Sequence, residues 1–259
     1  MMLDERKEYN HLHMLWDNAH FKGSPTYFVR KALLKKELHK ILKNKSYSVF
    51  DVGCGTGGYI RVFEKLTEDY VGIDLSDFAI SRLKEKYPNF SFYQESIYTF
   101  KSKKKFYLVF LSEVLEHLDY EVKALKNIRK ILSANGILLL SVPFDDNLWS
   151  YSDEIARHRR RYSKDYLRRI LLKSGFENIR IYCYGFPLLR GYWIITKRFR
   201  RSITNKLSKK NGKKSTLGTL LYSAISKVFL LDTLFLNTNK GIGLIAICKK
   251  KHESERISK

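Results

Sequence analysis

The sequence predicts an α/β protein built on a mostly parallel sheet with helices on both faces, and three observations predict it. Short apolar runs alternate with stretches of helical periodicity between residues 48 and 184, which implies right-handed βαβ units. Val49, Phe50 and Val52 form a β-branched and aromatic run of the kind buried in such a sheet, and Gly53, Gly55, Gly57 and Gly58 follow at once. Asp74 stands about 20 residues further on, where nucleotide-binding sheets carry a ribose-binding acid.

In chain order, residues 3–20 are polar and aromatic, and Ser24-Pro25 opens a helix with Phe28, Ala32, Leu33, Leu38, Ile41 and Leu42 on one broad face; Asn44 to Ser46 close it. After the first strand and its glycines, Thr56 is a fair N-cap for a helix carrying Ile60, Phe63 and Leu66. Tyr70 to Ile73 reads as the second strand, with Asp74 at its end, and Ser76 caps a helix running to Lys86. Phe90 to Tyr93 is the third strand, ending at Gln94-Glu95-Ser96, and Tyr107 to Leu111 the fourth, leading into Ser112-Glu113-Val114-Leu115-Glu116-His117. The helix Tyr120 to Leu132 carries Val122, Leu125, Ile128 and Ile131 at helical spacing, and Gly136 suits a left-handed residue closing it. Ile137 to Val142 is the fifth strand. Residues 143–161 form a loop or short helix at the face where open α/β sheets bind ligands. Ser163 caps a helix that ends at Ser174-Gly175, Phe176 to Tyr184 is the sixth strand, and Gly241 to Lys249 the last. In the excursion between them, Leu217, Leu221, Ala224, Val228, Leu231 and Phe235 lie on one helical stripe, most simply a cap on the core.

Two cofactors compete for the glycine turn. Gly53, Gly55 and Gly58 fit the dinucleotide pattern G-x-G-x-x-G, with Asp74 as the ribose acid. Asp51 separates the readings: a carboxylate at the end of the strand repels a pyrophosphate, whereas it attracts the ammonium of a methionine moiety. The segments DVGCGTGG and VGIDLS resemble motifs I and II of the class I S-adenosylmethionine (SAM) methyltransferases, and SEVLEH resembles the segment after their fourth strand. That resemblance covers roughly residues 45–184. It implies a Rossmann-like class I methyltransferase fold with seven strands, the last antiparallel and inserted beside the fifth. It also implies SAM as cofactor and S-adenosylhomocysteine as product.

The resemblance assigns site residues position by position. Asp51 takes the methionine ammonium, Asp74 the ribose hydroxyls and Glu95, standing where aspartate is usual, the adenine amino group; Ser112 meets the cofactor, and Gly53, Gly55, Leu75 and Ser96 complete the cofactor-binding set. Arg30 sits about where the similar ubiquinone-pathway O-methyltransferases carry an arginine that reaches the methionine carboxylate. The leading segment of such enzymes lies across the cofactor, which makes Tyr9, His11, His13 and Trp16 available to the substrate wall. HRRRYSKDYL resembles the H-x-R-x-Y-S-x-x-x-L pattern of methyltransferases from glycan and lipid pathways. Histidine suits proton removal near neutral pH, so His158 and His117 are the catalytic candidates; the resemblance implies that His117 begins the next helix, and it reads more readily as a helix-capping or supporting group than as a base. Asp145, Trp149, Tyr151, Glu154 and Tyr162 are further candidates around the acceptor. Arg157, Arg159, Arg160, Arg161, Arg168 and Arg169 surround that motif with almost no acid nearby in sequence, which suits an anionic acceptor or a solvated helix face.

Composition bounds the rest. At 259 residues there is room for one sizeable domain with insertions. The formal charge of +23 predicts attraction to polyanions, or a lysine-rich surface with no partner. Cys54, Cys183 and Cys248 are widely spaced and read as reduced thiols; no metal site is expected. The amino-terminal stretch is not a secretory signal, so a cytoplasmic protein is expected. The expected divisions are an N-terminal helical cap over 1–46, a SAM-binding half over 47–142, a substrate half over 143–251 with a basic insert at 185–239, and a disordered tail over 252–259. Within the insert no Asp or Glu occurs from Phe186 to Leu231, and Leu188, Leu189, Trp193, Ile194 and Ile195 beside its basic residues resemble an interfacial membrane anchor. The activity expected is methyl transfer to a small or lipid- or glycan-linked acceptor, most simply at a hydroxyl oxygen. The alternatives are an RNA methyltransferase, supported by charge alone, and a non-catalytic membrane or assembly partner.

Overall fold

The computed structural model describes Lys7, Tyr9, Asn10, residues 24–197, Phe199 and residues 226–251. Helix α1 (Pro25–Ile41) starts as expected, with the Ser24 side chain accepting from the Tyr27 amide and proline in its first turn. The chain then alternates through β1 (Val49–Val52), α2 (Ile60–Leu66), β2 (Tyr70–Asp74), α3 (Asp77–Lys86), β3 (Ser91–Gln94), β4 (Phe106–Ser112), α4 (Glu121–Ile131) and β5 (Leu132–Pro143). A short helix α5 (Tyr151–Ile155), then α6 (Lys164–Lys173), β6 (Phe176–Tyr184), α7 (Leu188–Lys197) and β7 (Gly243–Lys250) complete it.

The seven strands lie in the order β3-β2-β1-β4-β5-β7-β6. β7 runs antiparallel to both β5 and β6, while the other pairings are parallel, as the resemblance implies. Successive strand residues face opposite sides, so each strand feeds two cores. Leu108 and Phe110 of β4 pack with Leu34 and Leu38 of α1, Phe63 of α2 and Ile80 of α3. Val109 and Leu111 pack with Leu125 and Ile128 of α4 and Leu167 and Ile170 of α6. The carboxyl ends of β1, β2 and β4, with the turns that follow, meet along one edge between these layers, where ligands bind in open α/β sheets.

Four local expectations are corrected. Thr56 does not cap α2: the glycine turn runs on to Tyr59, and the helix begins at Ile60 without a side-chain cap. Gly136 is not left-handed, because β5 already begins at Leu132, with an irregular register at the Phe106 end of β4. His117 ends a 3-10 turn, Leu115–His117, rather than opening a helix. Val228, Leu231 and Phe235 are exposed; the 3-10 turn Phe229–Leu234 buries Phe229 and Asp232 instead, because the Asp232 carboxylate accepts from the first two amides of α7. Leu217, Leu221 and Ala224, most of the insert's basic residues and the tail lie outside the described residues.

Candidate functional site

The glycine turn is held by hydrogen bonds across the strand ends. The amides of Gly53 and Cys54 both donate to the Ile73 carbonyl, at 2.8 and 3.0 Å. Gly53 has φ +70, and a Cβ there would lie 2.5 Å from Val114 Cγ2, so glycine is required on two counts. Helix α1 closes over the turn through the Tyr27 hydroxyl, which donates to the Gly58 carbonyl at 3.2 Å.

Two acids from the expected set meet at this turn. Asp74 ends β2 and accepts from the Gly55 amide at 2.8 Å and the Ser76 amide at 2.9 Å, one on each carboxylate oxygen. An ionised carboxylate at this strand end is the kind of acceptor that a ribose diol donates to. Asp51 is buried in the sheet and accepts from the Tyr70 hydroxyl at 2.7 Å. Burial pushes its carboxyl up to about 7, with the Tyr70 hydrogen bond opposing and the Asp74 charge adding to the rise. A buried carboxylate with a single neutral donor lacks a cation. The ammonium of an amino-acid moiety is the group that would satisfy it.

The other expected cofactor residues are engaged as follows. Arg30, on α1, is partly buried and pairs with Glu113 at 2.9 Å, next to Tyr59 and Tyr184. Glu113 in turn accepts from the Ser141 hydroxyl at 3.0 Å, in a left-handed conformation of φ 56. An acid thus already stands where the resemblance places the methionine carboxylate. The Nε of Arg30 has no hydrogen-bond partner. Ser112, at the end of β4, donates to the Tyr59 hydroxyl and meets Ser141 at 3.2 Å. Glu95 turns one oxygen back on the Ser96 amide and the Thr99 hydroxyl, capping its own turn. The Leu75 carbonyl accepts from the Gln94 side chain. From the leading segment, Asn10 Oδ1 accepts from the Ser76 hydroxyl at 2.7 Å and the Tyr9 ring meets His117 edge-on at 6.1 Å, so it spans the ends of β2 and β4. His11, His13 and Trp16 lie outside the described residues.

The two catalytic candidates come together. The His117 and His158 rings are 4.9 Å apart and nearly perpendicular. His158 Nδ1 lies 2.9 Å from Asp153, whose carboxylate is also gripped by Arg161 through Nε at 2.9 Å and Nη2 at 3.1 Å. Burial works to raise the Asp153 carboxyl, but its bonds to His158 and Arg161 hold it at about 2. His117 is driven down to about 3, first by burial and then by the nearby His158, and so stays neutral. Asp153 was legible from sequence only as the partner of Ser150 in a capping box that starts α5. Glu116, within the SEVLEH segment, is the other residue that sequence reasoning passed over. It is buried between His158 and the turn after β4.

The arginines around His158 are not free of acids. Arg159 pairs with Asp119 at 2.8 Å and Arg160 with Glu121, acids about 40 positions away in sequence, and Arg161 pairs with Asp153, eight positions before it. Arg168 donates to the Ile179 carbonyl. Asp145 is held by Arg190 at 2.8 Å, and Tyr162 is buried.

A family model described as a methyltransferase domain matches residues 27–181. Malonyl-[acyl-carrier protein] O-methyltransferase 1 of Ilyobacter polytropus is 24% identical over 102 residues, a segment that spans 38% of this chain and 38% of that protein. Among solved structures, the N-methyltransferase NodS of Bradyrhizobium japonicum, in complex with S-adenosylhomocysteine, superposes with a TM-score of 0.53 at 15% identity over 85% of this chain and 87% of that one. A putative sarcosine dimethylglycine methyltransferase of Galdieria sulphuraria gives a TM-score of 0.58 at 12% identity, over 86% and 85% of the two chains.

Proposed function

The chain belongs to the methyltransferase-domain family and is a SAM-dependent methyltransferase, and from that premise we propose that its acceptor is a small or lipid-linked molecule methylated on a hydroxyl oxygen. SAM supplies a methyl group on a sulfonium centre, and its transfer to the acceptor leaves S-adenosylhomocysteine. The residues we assign to the cofactor are Asp51, Gly53, Gly55, Asp74, Leu75, Glu95, Ser96 and Ser112, with Arg30 reaching the methionine end through the donor it has left. The observation that carries the assignment is the buried Asp51, a carboxylate short of one cation beside the glycine turn.

An oxygen acceptor has a proton to lose, and His158 is the group we assign to take it. Asp153 fixes the His158 ring through Nδ1 and leaves Nε2 to receive the proton, while Arg161 keeps Asp153 ionised. The similarity to an O-methyltransferase supports an oxygen acceptor. With Arg159, Arg160 and Arg161 partnered, an anionic acceptor rests on the overall charge of +23 alone.

The lipid-linked reading is favoured by the insert. Of the expected anchor, Leu189 and Trp193 are buried in the core, whereas Leu188, Ile194 and Ile195 of α7 are exposed, as are Phe199 and Leu231 and Leu234 of the neighbouring 3-10 turn, Ile195 and Leu234 at 71% and 76%. Such a face on a chain of charge +23 suits an anionic bilayer surface. Among the described residues no helix is long and apolar enough to cross a membrane. The experiment that tests the acceptor is transfer of labelled methyl from SAM into separated lipid, glycan and RNA fractions. Label in the lipid or glycan fraction at a base-stable ether supports the proposal, and label confined to RNA replaces it with the RNA reading.

A further inference from the structure

We infer that Trp193, on the helix that opens the insert, is a positioning residue for His158 and sets its imidazole through Arg161 and Asp153. The inference rests on the reading of His158 as the group that takes the acceptor proton. In sequence Trp193 belongs to a stretch resembling a membrane anchor, yet the residue is turned inward and is 8% exposed. The Arg161 guanidinium lies over its ring, 5.1 Å from the centroid, and its Nε1 donates to the Leu148 carbonyl at 3.0 Å. The face of the indole and its polar edge thus both hold the stretch between β5 and α6, which carries His158.

A guanidinium directs its N–H groups outward in its own plane and leaves two bare faces, which an aromatic ring can cover. In Arg161 the plane is already committed. Nε and Nη2 donate to Asp153 at 2.9 and 3.1 Å, and Nη1 donates to the Phe144 carbonyl at 3.0 Å. With Trp193 against one face, the Arg161–Asp153 pair stands out of water, its side chains 3% and 1% exposed. Charges in such dry surroundings hold each other strongly and have no solvent to swing towards. Asp153 Oδ1 takes both the Arg161 Nε bond and the contact with His158 Nδ1, each at 2.9 Å. The place of that one oxygen therefore fixes the ring of His158 and keeps its proton on Nδ1, leaving the lone pair on Nε2.

Helix α7 is anchored as such a support requires. Its first two amides, Leu188 and Leu189, donate to Asp232 at 2.9 and 2.8 Å. Arg190, Trp193 and Lys197 follow one another at helical spacing, and each bonds to the loop after β5. Arg190 donates to the Asp145 carboxylate and Lys197 to the Asn147 carbonyl, at 2.8 and 2.9 Å. Asp145 has a left-handed φ of 68, a conformation that its surroundings must hold in place. The same loop grips Arg161 from its other end, since Asp146 Oδ1 accepts from the Arg161 amide at 3.2 Å. The first helix of the insert is in this way part of the frame around His158, and Trp193 is where it touches the ion pair.

The test is long-range proton–nitrogen NMR correlation of the histidine-labelled full chain at about pH 8, where a free histidine is mostly neutral. The His158 signal is assigned by its loss in His158→Asn. Wild type should show one His158 tautomer, with the proton on Nδ1. Trp193→Leu should bind S-adenosylhomocysteine as wild type does, yet show both tautomers. Its transfer of labelled methyl from SAM into the extracted lipid or glycan fraction should fall about tenfold, part of what a positioned base contributes. Trp193→Phe keeps a ring face for Arg161 and should hold the wild-type tautomer. A Trp193→Leu chain that binds S-adenosylhomocysteine and keeps a single tautomer overturns the inference, as does a Trp193→Phe chain as mixed as Trp193→Leu. Should Trp193→Leu not fold, Trp193→Met, which refills the space without an aromatic face, is measured in its place and judged the same way. Methyl transfer at the wild-type rate by His158→Asn instead sinks the reading of His158 as the base, and the inference with it, whatever the tautomer.

Discussion

Cofactor affinity should depend on pH through Asp51. Burial lifts its carboxyl to about 7, against the hydrogen bond from Tyr70 and with the charge of Asp74 behind it. Below that pH the free protein holds Asp51 neutral, and a neutral acid offers nothing to an ammonium. Binding therefore selects the ionised form, and affinity falls as pH falls through 7. Two pH units below the midpoint about 1% of the chain is ionised, so S-adenosylhomocysteine should bind about 100-fold more weakly at pH 5 than on the plateau above 7, or roughly 2.7 kcal/mol. Calorimetry at constant ionic strength from pH 5 to pH 7.5 measures this. His117, held near 3, stays neutral across the range. Asp51→Asn should bind weakly at every pH with a flat profile. Tyr70→Phe removes the donor that favours the ionised form, so its midpoint should move upward. A wild-type affinity that changes less than threefold between pH 5 and pH 7.5, or an Asp51→Asn profile that follows it, would refute the pairing of Asp51 with an ammonium.

Other perturbations test the remaining contacts. Gly53→Ala places a methyl against Val114 at a left-handed φ, a strain of roughly 1 to 2 kcal/mol before the clash. Melting should drop by several degrees and S-adenosylhomocysteine binding be lost, with part of both restored in Gly53→Ala/Val114→Ala; no recovery would discount the steric account. Arg161→Ala strands the buried Asp153 charge, and breaking such a pair costs about 3 to 5 kcal/mol. Chemical denaturation should show that loss, with recovery when Asp153→Asn is added; an unchanged midpoint would mean that the pair is solvated. For the insert, flotation with anionic vesicles at low salt should recover the wild-type chain and lose Ile195→Glu/Leu234→Glu. Equal flotation of both would assign the binding to charge alone.

Much of the fold was legible because it is written in local patterns. The Ser24, Ser76 and Ser163 caps and the full span Phe176–Tyr184 follow from neighbours a few residues apart, and each stands where periodicity and capping place it. The local readings fail where a distant partner intervenes. Gly136 looked like a helix stop, yet pairing along β4 and β7 draws that stretch into the sheet. The stripe through Val228, Leu231 and Phe235 looked apolar and hence buried, yet Asp232 turns inward to meet the amides of α7 and leaves those side chains outside.

The sequence by itself determined the nucleotide turn, the order of the seven strands, and the identity of the cofactor, because glycine spacing and two strand-end acids carry that chemistry within short segments; the helix Leu188–Lys197 was not legible in it. Only the tertiary structure decided which charges are spent. It joined Arg30 to Glu113, Arg159 to Asp119 and Arg161 to Asp153, and brought Glu116, His117 and His158 to one point. The physical reason is that a buried charge takes its meaning from the groups packed against it, and those come from elements up to 83 positions apart, as with Arg30 and Glu113.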